Sequence, residues 1–214
     1  MRTRLTAIRE RIEQATARSV RPAGSVRLVA IGKGQPVEAL REAAALGVTD
    51  MGENYLQEAR TKIPAMQGVT WHFTGHLQSN KAGEVVRLFD VIQTVDSRPL
   101  LERLDRLAER PLQALIQIRL GGETQKSGIE PDELPALLQA SQGLSHIKVV
   151  GLMTLPPPVP GAEQSRHWFR QLAALGREHG LAELSMGMSD DFEVAIEEGA
   201  TMVRIGTALY GERL

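Results

Sequence analysis

The chain has 214 residues, enough for one large domain or two small ones with a well-buried core. Its 25 Lys and Arg against 26 Asp and Glu leave no general field for nucleic acid or anionic lipid. The absence of cysteine excludes disulfides, thiolate nucleophiles and thiolate metal sites. The start, MRTRLTAIRERIEQATARS, is too charged for a signal peptide and no apolar run approaches membrane-spanning length, so the expectation is a soluble, cytoplasmic protein.

Leu5, Ile8, Ile12 and Ala15 mark one face of an amphipathic helix at the start. Short β-branched runs then predict strands near 27–32, 48–51, 70–74, 91–95, 112–119, 147–153, 183–186 and 202–205. Between them lie PVEALREAAALG, YLQEARTKI, NKAGEVVRLF, RPLLERLDRLAER, PDELPALLQAS, GAEQSRHWFRQLAALGREHG and DDFEVAIEEGA. Apolar residues recur there at three and four, as on core-facing helices, and Gly47, Gly180 and Gly199 close several of them. The one loop that interrupts the rhythm is LPPPVPGAEQ, whose prolines hold it extended.

Eight strands, seven intervening helices and a helical start predict a single (β/α)8 barrel domain over residues 1–214, near the small end of that fold's range. An open doubly wound sheet fits the same alternation. In both architectures ligands bind beyond the carboxyl ends of the strands, so the residues there become the candidates. The first strand ends at Lys33, between Gly32 and Gly34. The second offers Glu53 and Asn54, the third carries His72 with Thr74 and His76 near its end, and the fourth ends at Asp96. The fifth leads to GGETQKSGI, the sixth ends GLMTLPPP, the seventh leads to SMGMSDD and the eighth ends VRIGTALYG.

Barrels often hold phosphate with the loops after strands seven and eight. Gly187 and Ser189 stand in the first of these loops; Gly206, where a backbone can approach an anion, and Thr207 stand in the second. Taken singly, Ser189 also reads as a helix cap and Gly206 as a turn. Arg204, flanked by Met202, Val203 and Ile205, needs either an acidic neighbour or an acceptor on a ligand. GGETQKS lacks the glycine that a phosphate-binding P-loop places before its lysine, which leaves Lys126 as a loop residue or a secondary contact. His72 and His76 have no third partner in view, so no metal site is expected. Trp71, Trp168, Met186, Met188 and Met202 read as packing. A closed barrel makes strands eight and one neighbours, setting an amine beside a phosphate cradle. That is the arrangement for bonding a phosphorylated aldehyde as a Schiff base, with the two glycines leaving room for the ligand.

GENYLQE, WHFTGHLQSNK, KSGI, GLMTL, SMGMSDD and MVRIGTALYG, in this order, resemble the pyridoxal-phosphate homeostasis protein family, which is similar to the barrel domain of alanine racemase. The resemblance runs from about Val26 onward. It implies a barrel holding pyridoxal 5′-phosphate (PLP), with Lys33 as the aldimine lysine. It further implies that Ser189, Gly206 and Thr207 bind the phosphate, that Arg204 faces the pyridine nitrogen, and that Asn54 lines the cofactor. The family usually has serine and threonine where this chain has Gly32 and Gly34. The implied function is carriage or regulation of PLP, with effects on amino-acid balance. Its partners would be PLP-dependent apo-enzymes and amino acids, not nucleic acid or membrane. The alternatives are a PLP-dependent amino-acid racemase and a PLP-free aldolase. A two-base racemase needs an acid–base group on each face of its substrate. The chain has only Tyr55 and Tyr210 as tyrosines and no residues for the second domain of such a dimer, so a monomeric carrier without established turnover is the expectation.

Overall fold

The computed structural model describes residues 1–122 and 127–211. Helix α1 (Arg2–Arg18) precedes eight strands: β1 (Arg27–Ile31), β2 (Asp50–Glu53), β3 (Thr70–Phe73), β4 (Val91–Val95), β5 (Leu112–Gln117), β6 (Ile147–Met153), β7 (Glu183–Ser185) and β8 (Met202–Ile205). The helices between them are α2 (Val37–Ala45), α3 (Leu56–Lys62), α4 (Ala82–Leu88), α5 (Arg98–Leu107), α6 (Leu134–Ser141), α7 (Arg166–Glu178) and α8 (Phe192–Glu197); α9 (Thr207–Tyr210) follows β8. All strand pairs are parallel. β8 returns to β1 with Arg27 opposite Met202 and Val29 opposite Arg204, closing the barrel. The open doubly wound sheet is thereby excluded.

Alternation along the strands separates two apolar layers. Val29, Val91, Leu115, Met153 and Met202 pack together in a small cluster inside the barrel. The larger cluster lies between strands and helices, where Leu40, Leu100, Leu101, Leu104, Phe169 and Phe192 are fully buried. The face of α1 read from the sequence, Leu5, Ile8, Ile12 and Ala15, is buried, and the helix packs mainly on α8 and α9. α5 shows why such segments start where they do. The Ser97 hydroxyl accepts the Leu100 N–H, and Pro99 stands in the first turn, where its missing N–H is harmless.

One expected strand is misplaced. The second runs Asp50–Glu53, not 48–51. Val48 and Thr49 have strand chemistry, yet the ladder to β1 begins at Asp50 opposite Val29. Two acidic residues can occupy this short buried strand because each meets a polar partner, His72 for Asp50 and Lys62 for Glu53. The fifth strand also stops short, at Gln117, with Ile118 making only an isolated bridge to Ile129. Among the described residues no helix is long and apolar enough to cross a membrane.

Candidate functional site

Strand β1 delivers its chain into a tight turn closed by Gln35 N–H donating to Gly32 O, 2.9 Å. Gly34 sits at φ 71°, a left-handed conformation in which a side chain is strained. Gly32 is closely packed by side-chain tips. A Cβ there would stand 2.5 Å from Glu53 Oε1 and 2.8 Å from Leu40 Cδ2. Gly34 therefore shapes the turn, and Gly32 clears space for Glu53 and Leu40. Lys33, presented between them, is half-buried with its Nζ 4.8 Å from the Tyr55 ring centroid.

Beneath this turn lies an ion cluster that sequence reasoning missed. Lys62, at the end of α3 and buried, donates to Gly32 O and to Glu53 Oε1, both at 2.8 Å, and to Glu58 Oε2. The same Glu58 oxygen accepts the Gly34 N–H at 2.8 Å. One ammonium thus holds the peptide groups on both sides of Lys33, directly on one side and through a carboxylate on the other. Burial pushes the Glu53 carboxyl up to about 7, against the hydrogen bond and charge of Lys62, and its second oxygen has no partner among the described residues.

The sign of that shift gives a test. A carboxyl raised from its ordinary 4.5 contributes stability below pH 4.5 that is lost as pH climbs through 7, at most about 3 kcal/mol. The wild-type melting temperature should therefore fall between pH 5 and pH 8 by more than that of Glu53→Gln. Parallel curves for the two proteins would show that Glu53 titrates normally.

Across the barrel mouth, Ser189 accepts the Ala208 N–H at 3.2 Å and so ties the loop after β7 to α9. It does not cap α8, which begins only at Phe192 after Asp191. Arg204 is buried inside the barrel, donating to the Ser185 hydroxyl at 2.7 Å and to Thr154 O at 2.9 Å. Among the described residues it forms no ion pair; burial lowers its guanidinium to about 10, with Asp191 opposing, so it stays charged at neutral pH. A Cβ at Gly206 would meet only Ile31, at 3.6 Å, so packing does not demand glycine there.

Lys33, Asn54, Ser189, Arg204, Gly206 and Thr207, from four separate strand ends, line one cavity of about 290 Å³. This volume is close to the lower end for small-molecule sites, roughly 300–1,000 Å³. A second cavity, about 530 Å³, adjoins it and shares Thr74, Leu155, Met188 and Asp190; Pro156, Pro157 and Pro158 of the extended loop line its wall. Met188 is therefore not a gap-filler in the core, whereas Met186 and Met202 are buried.

The remaining candidates fall elsewhere. Glu53 lies under the Lys33 turn. His72 is fully buried between Asp50 and Gln93. His76 is exposed, with its Nδ1 2.6 Å from the Ser127 hydroxyl, and Asp96, raised by burial, stands 3.9 Å from it. Lys126 lies outside the described residues. Among the described residues no three His, Asp or Glu side chains converge as metal ligands do.

Residues 3–214 match the family described as alanine racemase, N-terminal domain. The chain is 40% identical to the pyridoxal phosphate homeostasis protein of Pseudomonas aeruginosa, over 98% of this chain and 94% of that one. It is also 40% identical to the protein of that name from Aquifex aeolicus, over 98% and 97%. It superposes on PipY of Synechococcus elongatus without PLP (42% identity, TM-score 0.82) and with PLP bound (40%, 0.81), in each case over 95% of this chain and all of that one. An alanine racemase of Clostridium difficile, 13% identical with a TM-score of 0.76, shares the barrel over 99% of this chain and 56% of its own. The closed barrel and the near-complete matches together show that the chain belongs to the pyridoxal phosphate homeostasis protein family, within the alanine racemase N-terminal domain fold.

Proposed function

We propose that this protein binds PLP in the 290 Å³ cavity and serves intracellular PLP homeostasis as a carrier or regulator. The observation that carries the reading is a convergence. An amine, two hydroxyls and a buried guanidinium whose hydrogen-bond partners are neutral line one cavity where β8 meets β1. A ligand with an aldehyde, a phosphate and a ring nitrogen fits that donor set. Lys33 would bond the aldehyde carbon, Ser189, Thr207 and the Gly206 backbone would hold the phosphate, and Arg204 would face the ring nitrogen beside Asn54. When bound, PLP supplies an electron sink to an attached amine. The adjoining cavity gives an amino acid room to approach Lys33's end of the site. In this reading the whole of residues 1–214 is one cofactor-binding domain, acting as a cytoplasmic monomer and passing PLP to apo-enzymes. The relatives' names and the PLP-bound PipY support it.

The racemase alternative is not favoured by the bases among the described residues. Tyr210 has its hydroxyl buried without a partner among the described residues, and burial, with the charge of Glu53, pushes its ionisation well up. Tyr55 lies against Lys33 and so gives no acid–base group on an opposite face. A positioned general acid or base contributes roughly 10²–10⁴ in rate, so its absence removes most useful turnover. Incubating PLP-loaded protein with L-alanine in deuterated water should give very slow α-deuteration and no accumulation of D-alanine. Deuteration at enzyme-like rates would replace the carrier with a racemase.

A further inference from the structure

The interior of the barrel carries a polar chain that runs from Arg204 through four residues the proposed function does not use. Arg204 Nη1 donates to Ser185 Oγ at 2.7 Å, and Ser185 donates to Gln93 Oε1 at 2.6 Å. Gln93 Nε2 lies 2.9 Å from His72 Nδ1, and His72 Nε2 lies 2.9 Å from Asp50 Oδ1. Five strands contribute one residue each, and all five residues are buried. Asp50 stands at the start of β2, where Thr49 also donates to it at 2.7 Å and Arg27 lies 3.9 Å away. Burial alone would raise its carboxyl, but the hydrogen bonds from His72 and Thr49 and the charge of Arg27 outweigh that and hold it low.

The two ends set the direction of every link. A guanidinium can only donate and a carboxylate can only accept. With an uncharged imidazole, Asp50 selects the tautomer protonated at Nε2, leaving Nδ1 to accept from Gln93. That orients the amide, whose other proton points toward Met202 Sδ at 3.9 Å, so that Oε1 faces Ser185. Ser185 then spends its one proton on Gln93 and presents a lone pair to Arg204. Reversing any link sets two protons or two lone pairs face to face.

We propose that Asp50, acting through His72, Gln93 and Ser185, is the far anchor of a positioning relay for Arg204, fixing where the guanidinium aims its donors toward the cofactor's ring nitrogen. This rests on the PLP reading of the cavity. Asp50 is a positioning residue at the opposite end of its strand from Asn54, so it acts on the ring nitrogen only through the chain.

The test compares binding of PLP with that of a carbocyclic analogue carrying C–H in place of the ring nitrogen. Wild type should favour PLP at least tenfold. Asp50→Ala should bring that ratio to within threefold while leaving affinity for the analogue unchanged. Should Asp50→Ala not fold, Ser185→Ala cuts the last link and should give the same loss. In the cofactor-free wild type, long-range proton–nitrogen NMR correlations should show His72 protonated at Nε2 alone. Full discrimination in either folded variant, or an Nδ1-protonated His72, overturns the relay. A wild type that binds both ligands equally overturns it too, whereas one that binds neither refutes the PLP reading.

Discussion

Lys33→Ala should fold like the wild type and take up no covalent label when mixed with PLP and reduced with borohydride. Stability should be retained because the side chain is half-buried and lies against the exposed Tyr55 ring, so truncation orphans no buried group. Substitutions of that kind usually change stability by about 0.5 kcal/mol or less. Binding should change completely because Lys33 is, among the described residues, the lysine that lines the cavity. Lys62 is consumed by two carboxylates and a carbonyl, Lys81 stands on an exposed turn, and Lys148 is exposed on β6. Peptide mapping of the wild type should place the pyridoxyl group on Lys33. A label on Lys81 or Lys126, or an undiminished label in Lys33→Ala, would overturn the assignment. Pyridoxine 5′-phosphate, which has the phosphate and ring but no aldehyde, should bind both proteins alike.

What the sequence made legible follows from the range of the interactions concerned. The barrel could be read because each strand–helix unit carries its own periodicity and caps, and these are local. The six cavity residues could be named because a closed parallel barrel gathers strand ends on one face, so position along the chain stands in for position in space. Strand β2 was misread because its identity is tertiary. Glu53 looks like a loop residue until Lys62 arrives from α3. Lys62 itself, in QEARTKI, has the spacing of an ordinary last-turn lysine, and nothing nearby in sequence shows that Gly32 lies against it. Gly32 and Gly34 stand where the family usually has serine and threonine. The structure hands the grip on Lys33 to Lys62 and Glu58, and uses the missing Cβ of Gly32 to admit Glu53 beneath the turn.

The same cluster sets the largest expected stability change, at Lys62→Met. Methionine fills much of the lysine's volume but leaves Glu53 Oε1 without its donor and Gly32 O with the Gln35 N–H alone, and Glu53 has one orphaned oxygen already. Removing one member of a buried ion pair costs about 3–5 kcal/mol, because the other charge remains desolvated. Here the penalty should depend on pH. With Lys62 gone, only the Asn54 backbone amide opposes the burial that already holds the Glu53 carboxyl near 7, so it should rise further. The folded state can then avoid a buried charge only by taking up a proton, which unfolded chains do near 4.5. Destabilisation should accordingly be near the full value at pH 8 and clearly smaller at pH 5. Adding Glu53→Gln to Lys62→Met should remove most of that pH dependence, since a neutral amide has no charge to strand. Because Lys62 also anchors the peptides around Lys33, the Gly34 amide should lose protection from hydrogen exchange by far more than the strand amides of the barrel. Denaturant unfolding within about 0.5 kcal/mol of wild type at pH 8, with Gly34 still protected, would mean that Glu58 and the turn's own hydrogen bond suffice to hold Lys33 in place.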